Sequence, residues 1–184
     1  MKKEIVILFF AVFCCTYCQG QMDTTHYAKN TFYIEIAGNG IIGSINYERL
    51  VYSKERKNIS LRIGLLPFYE KTASFIAVPF ETCLFFGKKN FIEFGFGISY
   101  YHGLAVDNYN GIPRDSYLFG GSYFIPRIGY RFQKRDGGFF LRIGGGPFIK
   151  LIELYQYRIN NNNGGLLLNS PFTIGLSLGY TIKT

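Results

Sequence analysis

Large apolar residues alternate with small or polar ones over most of the chain after residue 30, which is the two-residue period of a β-strand with two unlike faces. The pattern is most regular in 172–183, where Phe, Ile, Leu and Tyr occupy the even positions and Thr, Gly, Ser and Lys the odd ones. It recurs in 92–100. We predict eight strands in all, over 31–38, 41–52, 58–68, 72–86, 92–100, 122–132, a seventh from residue 139, and 172–183.

The ionisable residues within these strands sort to one face. Of ten such residues, all but Arg49 share the face of the Gly and Ser residues. Besides Lys150, that face carries four carboxylates and four guanidinium groups, namely Glu35, Glu48, Glu81, Glu93, Arg62, Arg127, Arg131 and Arg142. We expect these eight to form an interior ion-pair network, with Arg131 within reach of Glu93. A charge-selective pore constriction is the alternative.

The first twenty residues have the three parts of a secretory signal peptide. Lys2 and Lys3 precede an apolar run over 5–13, and small or polar residues follow at 18–21, which predicts cleavage after Gly20. A lipoprotein anchor on Cys15 or Cys18 is the lesser alternative, because bulky residues precede both. We therefore divide the chain into a signal peptide (1–20), a flexible periplasmic tail (21–30) and a barrel (31–184). Cys83 is the one cysteine outside the leader.

The connections alternate in length. Short basic ones at 51–57, 87–90 and 133–138 follow the even strands, and Asn39–Gly40 closes a tight turn after the first strand. Longer connections are expected at 102–121 and 158–170. This alternation is typical of outer-membrane barrels, whose short turns face the periplasm. Four prolines at 67, 79, 126 and 147 interrupt the strands and are expected to mark bulges or the top of the wall.

Composition decides which way the apolar face points. Aromatic residues make up 18% of the chain, charged residues 17%, and there are 22 glycines. An eight-stranded barrel has a narrow interior that side chains fill, so Gly, Ser and ion pairs suit the inside and bulky apolar residues suit lipid outside. We predict an all-β fold, an eight-stranded antiparallel transmembrane β-barrel. A soluble periplasmic ligand-binding barrel would need the opposite arrangement.

Several segments resemble a known family. They are similar to the small outer-membrane β-barrel proteins of Gram-negative bacteria. The segments that carry the resemblance are Phe32–Gly40, Ser44–Arg49, Val78-Pro79-Phe80, 128–132 and 175–180. The resemblance spans 31–184 and implies the fold and the outer membrane as location, without a defined activity. One departure is the C-terminus, Tyr180-Thr181-Ile182-Lys183-Thr184, where such barrels often end on an aromatic residue.

Sequence motifs for catalysis, metal binding or phosphate binding are weak. The two histidines are His26, in the tail, and His102, which lies three residues after Ser99 and therefore on the opposite face of an extended strand. The stretch 107–111 places its glycine one position early for a calcium loop, and Gly144-Gly145-Gly146 lacks the residues of a phosphate loop. We expect no catalytic, cofactor or metal site and no enzymatic activity; a lipid-modifying barrel enzyme is the least favoured alternative.

The expected function is therefore structural or surface-interacting, with a narrow passive pore as the alternative. The formal net charge of +8 resides largely in turns rather than on one exposed patch, which argues against a nucleic-acid partner. The partners that the pattern implies are outer-membrane lipid and the barrel-assembly machinery. It names no surface partner.

Overall fold

The computed structural model describes residues 28–40, 42–70, 73–109, 112–158 and 172–183, with the backbone alone at 105–109, 112–117, 119 and 153–158. The predicted signal peptide and residues 21–27 lie outside these ranges. Nine strands and one short 3₁₀ turn, Gly38–Gly40, are present in them. The strands are β1 Asn30–Ala37, β2 Gly43–Lys54, β3 Lys57–Tyr69, β4 Ala73–Gly87, β5 Asn90–Tyr109, β6 Ile112–Gln133, β7 Gly138–Pro147, β8 Ile149–Arg158 and β9 Phe172–Ile182. No helix in the described part of the chain is long and apolar enough to cross a membrane.

The strands close into an antiparallel barrel. Strands β1 to β6 pair in sequence order, β6 pairs with β7, β7 with β9, and β9 with β1. The closing seam between β1 and β9 brings Phe32 opposite Tyr180. Because β7 and β8 are successive pieces of the predicted seventh strand, the circumference holds eight strands. The predicted eight-stranded antiparallel barrel is thus confirmed.

Two prolines stand where the seventh strand divides. On β6, pairing with β7 ends at Ile128 opposite Gly145, and pairing with β8 resumes at Phe124 opposite Ile149. Pro126 and Pro147 lie in this gap, where β6 pairs with neither β7 nor β8, so their missing N–H groups coincide with a break in this part of the ladder. The prediction that prolines mark irregular places in the wall holds at this junction.

The predicted loop 102–121 is wrong. Strands β5 and β6 continue through it as one long hairpin, paired from Tyr101 opposite Gly121 out to Tyr109 opposite Ile112. Gly103, Gly120 and Gly121 read as turn signals along the chain, but antiparallel pairing satisfies backbone groups at these positions. The second predicted long loop begins where the description stops, at Arg158.

The apolar face points outward. On β1, Ile34 is 61% exposed while its neighbours Tyr33 and Glu35 are buried at 3% and 0%. The same alternation runs along β9, where Ile174 is 63% exposed and Ser177 is 0% exposed. The bulk of the large aliphatic and aromatic residues therefore covers the outer surface, and the small and charged residues fill the interior, as predicted.

Candidate functional site: the charged barrel interior

Of the nine ionisable residues that the sequence placed on the inward face, the eight predicted network members lie in the interior and are each at most 4% exposed, whereas Lys150 is exposed. Glu35, Glu48, Arg62, Glu81, Glu93 and Arg142 come from β1, β2, β3, β4, β5 and β7, and Arg127 and Arg131 both come from β6. The even spacing of the last two puts both on the same face of β6. Four negative and four positive groups balance, so the enclosed charge is zero.

Arg62 anchors the β1–β4 side of the network. Its Nη1 lies 2.8 Å from Glu81 Oε2, and its Nη2 forms an ion pair with Glu35. Its Nε and Nη2 also donate to Asn46 Oδ1, at 2.9 and 2.8 Å. A planar guanidinium satisfies several acceptors at once in this way, which is why arginine rather than lysine suits a buried network.

The two arginines of β6 connect the remaining carboxylates. Arg127 Nε lies 3.0 Å from Glu81 Oε1, and the same guanidinium contacts Glu93. Arg131 also contacts Glu93, and its Nη1 lies 2.6 Å from Glu48 Oε1. Glu93 therefore accepts from both arginines of β6, and Arg131 links it to a carboxylate on β2.

Arg142 occupies the centre. Its Nη2 lies 3.0 Å from Glu35 Oε1, and its Nη1 is within 3.6 to 3.9 Å of Glu48, Glu81 and Glu93. That Nη1 has no hydrogen-bond partner in the described structure. Arg142 thus interacts with all four carboxylates, and the eight residues form one connected cluster.

Inward-facing aromatic residues pack against the charge network, and the sequence analysis did not predict them. Tyr33, Phe85, Phe91 and Phe140 are each at most 4% exposed. The guanidinium carbon of Arg131 lies 4.1 Å from the Phe85 ring centroid and 5.2 Å from that of Phe140. Such cation–π contacts are favourable in a desolvated site. Strand parity was the available signal, because Tyr33 and Phe140 each lie two residues from a network member.

An inward-folded turn covers the network on the side of the long hairpin. The predicted tight turn at Asn39–Gly40 is instead a buried segment, Gly38–Gly40, with Asn39 0% exposed. The Asn39 carbonyl oxygen accepts from Ser99 Oγ at 2.8 Å and from Tyr101 Oη at 3.2 Å. Ala37 and Gly38 reach this path with φ of 58° and 73°. A Cβ on Gly97 would stand 2.7 Å from Asn39 Nδ2, so glycine at this position makes room for the buried segment Gly38–Gly40, which we call the plug.

The opposite mouth is crossed by the chain that enters β1. Ala28 N donates to the Arg135 carbonyl, and Leu50 N donates to the Lys29 carbonyl, both at 2.8 Å. Both residues belong to the predicted flexible tail, but Lys29 extends the pairing of β1 with β2, and Ala28 is bound to the turn between β6 and β7. A cavity of about 20 Å³ remains between Ala28 and the inward rings of Phe85 and Phe91.

Within the described residues, Ser99 and His102 do not come together as a catalytic pair. Ser99 faces inward and its hydroxyl donates to the plug, whereas His102 lies on the outward face, half-buried. The two side chains therefore point to opposite sides of β5, as their spacing predicted. Cys83 is buried beside Phe85 and Phe91.

Comparisons of the chain with protein-family models, with curated proteins and with solved structures find no match. The resemblance to small outer-membrane barrels therefore stays a prediction. Function has to be inferred from the geometry: a balanced charge network enclosed by a barrel whose outer surface is apolar.

Proposed function

We propose that this chain is an integral outer-membrane β-barrel with a structural or surface-interaction role and a lumen closed by its Glu/Arg network. The observation that carries the proposal is the inverted polarity of the wall. Arg62, Glu81 and Arg142 are 0% exposed, while Ile34, Ile45 and Ile174 are at least 61% exposed. A water-soluble barrel places these two kinds of residue the other way round.

Lipid is the solvent that suits this outer surface. A typical soluble monomer exposes contiguous apolar patches of only a few hundred Å² (roughly 300–600). Here the outward faces of neighbouring strands are apolar in register, with Ile34 opposite both Ile45 and Leu178. A closed barrel also satisfies its backbone hydrogen bonds internally, which a bilayer requires.

The interior favours a closed barrel over the passive pore. Arg131 on β6 pairs with Glu48 on β2, and these strands face each other across the lumen. The buried Gly38–Gly40 segment covers the network on one side, and Ala28 crosses the other mouth. We therefore propose a non-conducting, non-enzymatic protein.

The long hairpin is the part of the structure best suited to surface contacts. β5 pairs with β4 only as far as Ala105, and beyond that it pairs with β6 alone out to Tyr109. The hairpin therefore projects past its β4 neighbour. In the proposed orientation, with the short basic turns toward the periplasm, this projection lies at the cell surface.

Location is tested by cell fractionation combined with gel migration before and after heating. We expect the protein in outer-membrane fractions, with a faster-migrating band without heating, and a mature N-terminus at Gln21. Protein that stays soluble in the periplasm without detergent would contradict the proposal and favour the ligand-binding barrel.

Closure of the lumen is tested by conductance in planar bilayers. We expect no channels from the native protein. A matched variant, Arg142→Ala with Glu35→Ala, removes a central pair and keeps the enclosed charge at zero. Reproducible, charge-selective channels from the unmodified protein would favour the pore instead.

A surface role is tested by shortening the hairpin. Replacing residues 107–115 by Asn-Gly should leave a heat-modifiable barrel and abolish capture of surface partners by the intact protein. Equal capture by both forms would remove the hairpin from the proposal.

A further inference from the structure

The end of the barrel that carries the short turns holds a repeated pair of residue types. The last outward aromatic residue of β2, β4 and β6 is followed two positions later by a lysine: Tyr52 and Lys54, Phe86 and Lys88, Phe132 and Lys134. All three lysines are exposed, and Tyr52 and Phe86 are 38% and 42% exposed. We call these the three aromatic–lysine pairs.

The pairs share a position at the strand ends. Lys54 is the last residue of β2, and Lys88 and Lys134 directly follow the last residues of β4 and β6. Each lysine therefore comes after an outward ring in the direction of the turn, away from the apolar belt. Rings of this kind lie at the membrane–water interface, so the ammonium groups reach the level of the lipid phosphates.

A row of outward aromatic residues also crosses the strands on either side of the closing seam. Phe139, Tyr180, Phe32 and Tyr47 stand in direct cross-strand register on β7, β9, β1 and β2. Tyr47 Oη donates to Asn30 Oδ1 at 2.7 Å, which holds one of these rings at the rim. Lys89 from the β4–β5 turn places its Nζ 5.1 Å from the Phe132 ring centroid. One turn cation, Lys89, thus lies directly against an outward aromatic ring.

Charge is distributed unevenly between the two ends. The three turns at 54–57, 88–89 and 134–136 hold seven Lys and Arg residues against two acidic ones. Among the described residues, the opposite end holds four acidic ones and three basic ones, namely Glu70, Asp107, Asp115, Glu153, Arg114, Lys150 and Arg158. With the interior balanced, the excess positive charge of the described barrel belongs to the turn end.

We propose that the three aromatic–lysine pairs bind the phosphates of anionic lipid headgroups in the leaflet at the turn end. The proposal rests on the membrane-embedded barrel proposed above. Lysine is suited to this contact because its ammonium attracts a phosphate from a flexible stem while the stem packs on apolar surface. Each such lysine strengthens attraction to an anionic membrane surface by about fivefold.

The test uses the purified protein folded in detergent micelles that hold equal amounts of phosphatidylglycerol and phosphatidylcholine with the same acyl chains. Native mass spectrometry counts the lipid adducts that each protein molecule retains. We expect a several-fold preference for phosphatidylglycerol that weakens as salt is raised.

Three variants separate position from charge. Lys54→Gln with Lys88→Gln and Lys134→Gln should lower the preference at least about fivefold. The arginine versions of the same three changes should retain it. Arg114→Gln with Lys150→Gln and Arg158→Gln removes the same charge from the opposite end and should leave it unchanged.

The outcomes are distinguishable. No preference in the native protein, or equal loss in the two Gln triples, would overturn the proposal. Release of the bound lipid by free glycerol phosphate would identify the rim as a site for soluble phosphates and also overturn it. A heat-modifiable band in every sample shows that the barrel is folded, whereas a protein that stays soluble without detergent contradicts membrane embedding itself.

Discussion

Glu48 and Arg131 join opposite walls of the barrel, with 2.6 Å between Glu48 Oε1 and Arg131 Nη1. Three strands separate β2 from β6 in either direction around the circumference. Along the wall, Glu48 stands in register with Arg62 on the adjacent strand, yet no ion pair joins those two side chains in the described structure. The interior is therefore held together across its width as well as along its sheet.

Breaking this cross-barrel pair should destabilise the protein strongly. Glu48→Ala and Arg131→Ala are each expected to lower the free energy of unfolding by ~3–5 kcal/mol, because each leaves a buried charge stranded. The double variant should cost less than the sum, since the second change relieves that charge. Urea unfolding in detergent measures all three.

Exposed Glu70→Ala is the matched control and should change stability little. Glu93 shares Arg131 with Glu48, so a Glu93→Ala and Arg131→Ala cycle should couple in the same way. Strictly additive losses in both cycles would mean that these residues do not share one interior.

The outward face gives a prediction that separates lipid from water. Phe94 is 38% exposed on β5, and Phe94→Arg should cost ~2–4 kcal/mol in a bilayer, because a charge at membrane depth loses its hydration. Phe94→Leu keeps the apolar character and is the control. Equal tolerance of Arg and Leu, measured by urea unfolding from vesicles, would indicate that water surrounds this face.

The plug depends on two hydroxyl donors to one carbonyl. Ser99→Ala or Tyr101→Phe alone leaves the Asn39 carbonyl with one partner, so each should cost ~1 kcal/mol. Together they leave a buried carbonyl without a side-chain donor, which should raise the loss above the sum of the two. Losses that merely add, again by urea unfolding, would show that the two hydroxyls hold the segment independently.

Cys83 reports on the interior without any substitution. Its side chain is 0% exposed, and it is the one cysteine downstream of the predicted leader. A water-soluble maleimide should therefore label the mature chain slowly when folded and rapidly in urea. Phe94→Cys in a Cys83→Ala background moves the thiol to the outer face, where a membrane-permeant maleimide should reach it. Rapid labelling of Cys83 in the folded protein would contradict a filled lumen.

Much of the fold follows from alternation, because a two-residue period needs no knowledge of partners. The sequence predicted the strand faces, the barrel closure and the eight ionisable residues that fill the interior. It failed at the β5–β6 hairpin, where Gly103, Gly120 and Gly121 read as a loop. Whether such residues form a ladder depends on a second strand being close enough to pair, which is a tertiary property.

The pattern along the chain by itself determined which side chains face inward, since covalent geometry alternates them. The tertiary structure decided which carboxylate forms an ion pair with which arginine. Arg62 lies between Glu48 and Glu81 in register, yet its ion pairs go to Glu81 and Glu35, while Glu48 reaches across to Arg131. Long side chains in a narrow lumen meet partners from strands that are not neighbours, and only closure of the barrel sets those distances. The burial of Asn39 is likewise a tertiary property, because its carbonyl accepts from Ser99 and Tyr101 on β5.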